Sequence, residues 1–120
     1  MAPKPKIEIL RQRALFLAVA ATGKKWVAPS FVLQIGPTSG DASMVRFGLT
    51  ATKKIGNAVT RNRARRRLRA LAAELLPNAI PGDYVLIARD TTPTATFDAM
   101  RQDMIKGMKR MKIWQEADIG

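Results

Sequence analysis

Between Thr52 and Leu71 the chain reads TKKIGNAVTRNRARRRLRAL, a segment with eight Lys or Arg and no acid. At about 100° per residue, Ala64, Leu68, Leu71, Ala72 and Leu75 share one side of a helix, which has to be buried. Asn62, Arg66 and Arg69 align along one flank, with Arg65 at the border nearer the core, and Arg63 and Arg67 project from the other. Like charges at this spacing destabilise an isolated helix. The segment therefore requires a larger apolar body to lie on and leaves its cations facing outward.

The charge is local. From Ala42 to Ala73 there are nine basic residues and no Asp or Glu, against a net charge of +12 for all 120 residues. A solvated helix face is the ordinary reading of a charge run, but such a face normally alternates sign. This one repels itself unless a polyanion lies across it, and a phosphate backbone is the commonest such partner. Arginine grips phosphate with a planar fork of donors, and Asn62 adds a donor and an acceptor suited to a base edge or a 2′-hydroxyl. The preceding Lys53-Lys54-Ile55-Gly56 turn adds cations at the helix N-terminal side, where backbone amides also point outward.

Nearly half the residues are apolar, and the length suits one domain with one core. Cysteine and histidine are both absent, which excludes disulfides, thiolate metal sites and nucleophilic triads that use histidine. The acids are scattered and suggest no metal cluster. If a reaction takes place, the partner performs it. No run approaches the roughly 20 apolar residues of a membrane span, so no membrane is expected as a partner, and the reading is a soluble protein of a reducing cytoplasm.

Along the chain, Met1 to Lys6 reads as a flexible basic arm and residues 7–120 as a single domain. Ile7 to Thr22 is expected to be helical, with Leu10, Ala14, Leu17, Ala18 and Ala21 as its buried stripe and Gly23 as its stop. Trp26 to Ile35 reads as extended chain broken at Pro29, and Gly36, Pro37, Ser39 and Gly40 as a loop. Met44 to Thr52 alternates as a half-buried strand. Asn57 is placed to cap the basic helix, which runs to Leu76 before Pro77. Asp83 to Arg89 reads as a central strand covered on both faces. Thr96 opens a last helix in which Phe97, Met100, Met104, Met108 and Met111 form a core stripe. The result is an α+β layer of order αβββαβα, with helices on a small sheet.

Phe16 falls outside the expected stripe of the first helix and shares a flank with Arg13 and Ala20. An aromatic beside an arginine suits a stacked single-stranded nucleotide. Equally, Phe16 can pack beneath the sheet, and the residues alone leave both readings open.

At these residues the chain resembles the protein subunit of bacterial ribonuclease P over nearly its full length. The strongest match is FGLTATKKIGNAVTRNRARRRLRAL, with its Arg61-Asn62-Arg63 core; RQRALFLAV followed by Gly23-Lys24-Lys25, the strands around Phe31 and Arg46, and GDYVLIAR support it. The resemblance implies a single-domain α/β sandwich, its small mixed sheet having a left-handed βαβ crossover. It implies an endoribonuclease subunit that assists a catalytic RNA in removing the 5′ leader of precursor tRNA, with the RNA and its Mg2+ carrying the chemistry. By position, Lys53, Lys54, Arg61, Asn62, Arg65, Arg66 and Arg69 would lie against the catalytic RNA, and Arg13 and Phe16 in a leader cleft, the protein being monomeric outside the ribonucleoprotein. The family often carries aromatics where this chain has Ala20 and Gln34, and an acid or amide where it has Ala70. The competing reading is a ribosomal or chaperone-like RNA-binding protein with no role in cleavage. A nuclease using its own carboxylates, such as Asp83 or Asp90, is a third.

Overall fold

A computed structural model describes residues 6–37 and 44–115. Its elements in chain order are β1 (Lys6–Ile9), α1 (Arg13–Ala21), β2 (Lys24–Val27), β3 (Phe31–Ile35), β4 (Met44–Thr50), α2 (Ala58–Leu75), β5 (Gly82–Ala88) and α3 (Phe97–Arg110). The strands form one mixed sheet of order β1-β4-β5-β3-β2. β4 pairs in parallel with both β1 and β5, and β3 runs antiparallel to β5 and β2. Because β4 and β5 are parallel neighbours, α2 is the crossover that joins them.

β5 occupies the middle of the sheet, which accounts for its near-continuous apolar sequence. Tyr84, Leu86 and Ala88 face the large core beneath α2 and α3, whereas Val85 meets Leu10 and Val19 on the other face under α1. The alternation expected in β4 holds in the same way, with Val45 and Phe47 buried toward the large core. Pro29 separates β2 from β3, where a ladder donor is dispensable. Met100, Met104 and Met108 are fully buried, so the methionine stripe is core.

The N-terminal segment departs from the sequence expectation. Ile7, Glu8 and Ile9 lie in a parallel edge strand, and the first helix starts six residues later than expected, at Arg13. The order is therefore βαβββαβα. Isolated from the fold, Ile7 and Leu10 fit a helical period as well as an extended one, and only the free edge of β4 selects the strand. The arm placed at residues 1–6 lies outside the described residues except for Lys6, which opens β1. Ser39 and Gly40 of the expected loop also lie outside them.

The face of α1 is also different. Leu15, Phe16 and Val19 turn inward, while Ala14, Leu17, Ala18 and Ala21 are exposed. Apolar side chains surround this helix, so its periodicity carries little contrast. Its orientation is set by the sheet: Phe16 lies on Gly48, where an added Cβ would come within 2.3 Å of the ring, and Val19 lies on Gly36. Thr22 then donates its hydroxyl to the Ile35 carbonyl and ties the end of α1 to β3.

Candidate nucleic-acid interface

The basic helix forms where its local chemistry directs it. Asn57 has extended backbone and accepts a hydrogen bond from the Thr60 amide at 2.9 Å, capping α2. Gly56 adopts φ +141, a conformation that disfavours a side chain, and so lets the short 3₁₀ turn Lys53–Ile55 lead directly into the cap. Ala64, Leu68, Leu71, Ala72 and Leu75 are the buried residues of α2, the same stripe that the sequence period gives. The pairs Arg61/Arg65, Arg63/Arg66, Arg63/Arg67, Arg65/Arg69 and Arg66/Arg69 each oppose the helix by about 0.2–0.5 kcal/mol at low salt. Burial of Leu68, Leu71 and Leu75 at about 1.5–3 kcal/mol each outweighs them.

Tertiary contacts divide the arginines into two groups. Arg63 donates through Nε to the Pro93 carbonyl at 3.1 Å, and Arg67 donates to the Ala95 carbonyl. These two fasten the segment before α3 and present less of their donor capacity to solvent. On the opposite flank Asn62, Arg65, Arg66 and Arg69 line a shallow depression together with Val59. Arg65 is braced by Asn62 Oδ1 at 3.2 Å and by the Ala51 carbonyl at 3.3 Å, which fixes its guanidinium between the helix and the end of β4. Among the described residues no arginine of α2 forms an ion pair; the carboxylate pairs are Arg46 with Asp83 and Arg101 with Glu74 and Asp98. Lys53 and Lys54 are exposed in the turn before the cap, and Arg61 is half-buried in the first helical turn.

Val59 is the residue of this surface that sequence reading missed. It is 77% exposed, the most of any large hydrophobic residue described. Its signal was present in the spacing: positions 59, 62, 66 and 69 follow one line along the helix.

Arg13 and Phe16 belong to a separate place. They lie on α1, against the sheet face opposite α2, so the structure does not bring them together with the arginine row. Strand β4 is the partition between the two sites, with Phe47 directed to the α2 side and Gly48 beneath Phe16. Phe16 is half-buried, and its ring packs on the sheet at Gly48, as one of the two sequence readings expects. Arg13 is exposed. At the closed end of this face, Arg46 grips Asp83 through two hydrogen bonds of 2.7 and 2.8 Å. Their hydrogen bond holds the guanidinium above its ordinary pKa.

Fold and surface together define a class: a small α+β protein whose crossover helix carries an unpaired cationic row. The ribonuclease P family model matches residues 5–112. The ribonuclease P protein component of Paramagnetospirillum magneticum is 43% identical over 116 residues, covering 92% of this chain and 87% of the relative. That of Gluconacetobacter diazotrophicus is 44% identical over 105 residues, covering 84% and 88%. Among solved structures, the RNase P protein of Thermotoga maritima superposes with a TM-score of 0.70 at 26% identity, over 84% of this chain and 94% of that one. The Staphylococcus aureus RNase P protein gives 0.74 at 22% identity, over 89% and 97%, a likeness of fold. The chain belongs to the ribonuclease P protein component family, and it is thus a subunit of an endoribonuclease that processes tRNA. Nothing found favours the ribosomal or chaperone-like alternative.

Proposed function

We propose that this chain holds the catalytic RNA of ribonuclease P against the outer flank of α2 and the 5′ leader of precursor tRNA in the cleft beneath α1. The observation that carries the reading is the row Asn62, Arg65, Arg66 and Arg69, lined up on one depression without a carboxylate partner among the described residues. Lys53, Lys54 and Arg61 extend that row toward the helix N-terminus, where the peptide dipole adds to the attraction for phosphate. Arg13 and the open side of Phe16 supply a cation and a stacking surface to the single-stranded leader.

Magnesium belongs to the RNA and substrate in this scheme. Among the described residues no three acidic or imidazole groups gather to hold a metal. The chain's own residues bind and orient; the bond is broken elsewhere. No helix described is long and apolar enough to cross a membrane. A cytoplasmic, monomeric protein recruited into the ribonucleoprotein completes the proposal.

The test is leader removal by the cognate RNA at low magnesium, with and without the polypeptide. Acceleration is expected, and Arg66→Gln with Arg69→Gln should abolish most of it. Phe16→Ala should weaken binding of leader-bearing substrate more than of mature tRNA. Equal loss for both would remove Phe16 from the leader cleft.

A further inference from the structure

A second cationic surface lies at the opposite edge of the sheet. Most of the arginine row of α2 faces away from α3, since Arg65 reaches the end of β4 at Ala51 while Arg63 and Arg67 turn to the segment before α3; Arg66 lies between the two flanks and also lines a depression with Arg63, Arg67 and Phe97. The other edge is β2, three strand spacings from β4 at about 4.8 Å each, or roughly 14 Å. There Trp26 packs so closely on Gly107 of α3 that an added Cβ would come within 2.2 Å of the indole.

That contact brings two sets of cations together. Arg101 marks the flank of α3 that meets α2, through Glu74. Lys106 and Arg110, five and nine residues further, point about 140° and 180° away from it, toward the β2 edge. Lys24 opens β2 opposite Ile35, at the sheet end where β5 begins. The C-terminal end of α3 returns to that same end, since the Ile80 amide bonds to the Ile113 carbonyl and Ala79 bridges to Trp114. Lys25 alternates to the other side of the strand, so the surface wraps around the edge. All four cations are exposed, and none forms an ion pair among the described residues. Asp103 is the acid described on this flank, one charge against four.

We infer that Lys24, Lys25, Lys106 and Arg110 form a second RNA-backbone site, so that the chain bridges two RNA segments across the width of its sheet. The inference rests on the proposed function, which supplies the ligand chemistry: a ribonucleoprotein in which polyanion is present on more than one side. An RNA segment seated on α2 faces away from α3 and leaves the β2 edge free for another. The second segment comes either from the catalytic RNA or from the precursor tRNA.

Two double variants, Lys24→Gln with Lys25→Gln and Lys106→Gln with Arg110→Gln, separate these sources. Each is measured for salt dependence of binding to the catalytic RNA alone, and of precursor tRNA binding to the assembled holoenzyme. Thr94→Glu with Thr96→Asp, both exposed and outside either surface, is the charge-matched control, Asp at 96 keeping the cap of α3. Each patch variant should lower the log-log salt slope by about 1.5 in one arm, as expected at about 0.7–0.9 per phosphate, with the control well below that. The arm that responds identifies the RNA. Lys24→Arg with Lys106→Arg, which keeps the charge, should retain the native slope. If the patch variants match the control in both arms while Arg66→Gln with Arg69→Gln still lowers the slope, the inference is overturned and the proposed function stands. If the α2 variant is silent as well, both fall.

Discussion

Gly48→Ala tests how closely α1 is fitted to the sheet, and the structure sets the size of the effect. Replacing a strand glycine normally stabilises by about 0.5–1 kcal/mol, because the unfolded chain loses freedom. Here the new methyl would come within 2.3 Å of Cζ and 2.4 Å of Cε1 of Phe16, inside van der Waals contact. The ring must pivot toward solvent, and overpacking of this kind costs about 1–3 kcal/mol. The steric term wins, leaving a net loss of about 0.5–2 kcal/mol. In a Phe16→Ala background the obstruction is gone, and the same substitution should stabilise by about 0.5–1 kcal/mol. Urea denaturation of the four proteins in the cycle measures the coupling, expected at about 1–3 kcal/mol. If Gly48→Ala stabilises the native background as much as the Phe16→Ala background, Phe16 does not sit on Gly48 and the placement of α1 is wrong. Leader binding gives a second reading of the same geometry: Gly48→Ala should reproduce much of the Phe16→Ala defect, because the ring loses its seat.

Gly107→Ala should behave likewise against Trp26: the helix gains about 1 kcal/mol in propensity but overpacking costs about 1–3, so thermal unfolding should show a net loss that reverses once Trp26 is replaced by Ala. Tyr84 is the only tyrosine, and burial pushes its phenol well above the ordinary value near 10. Its folded pKa is raised, so its contribution is intact below about pH 10 and is lost as pH rises further, at about 1.4 kcal/mol per unit. Phenolate absorbance should therefore appear together with alkaline unfolding, and titration of a still-folded chain near pH 10 would contradict the buried hydrogen bond to Ile80. Asp83→Ala strands the part-buried Arg46 without its bidentate partner and should destabilise by about 2–4 kcal/mol in denaturant titration; a loss under 1 kcal/mol would show that solvent already screens the pair.

Much of the molecule was legible in the sequence because local chemistry and burial agree there. The stripe of α2, its cap at Asn57, the cap of α3 at Thr96 and the doubly covered β5 all follow from patterns a few residues long. The first two belong to the helix that carries the cationic row, so the place and sign of that row could be read before any fold was known.

Elsewhere the local signal was degenerate. Residues 7–9 suit a helix or a strand, and the apolar surround of α1 admits several inward faces; the open edge of β4 and the smooth track of Gly36 and Gly48 choose between them. Nor does composition distinguish an arginine that binds a ligand from one that binds the protein's own backbone. Arg63 and Arg67 are spent on the Pro93 and Ala95 carbonyls, whereas Arg66 and Arg69 are left to solvent, because the segment before α3 lies on one side of α2 only. Charge and period are properties of neighbours in sequence and were fixed by the chain itself. Which side chain meets which surface depends on partners distant in sequence, Pro93 30 residues from Arg63 and Ala95 28 from Arg67, and only the packed sheet and helices decided it.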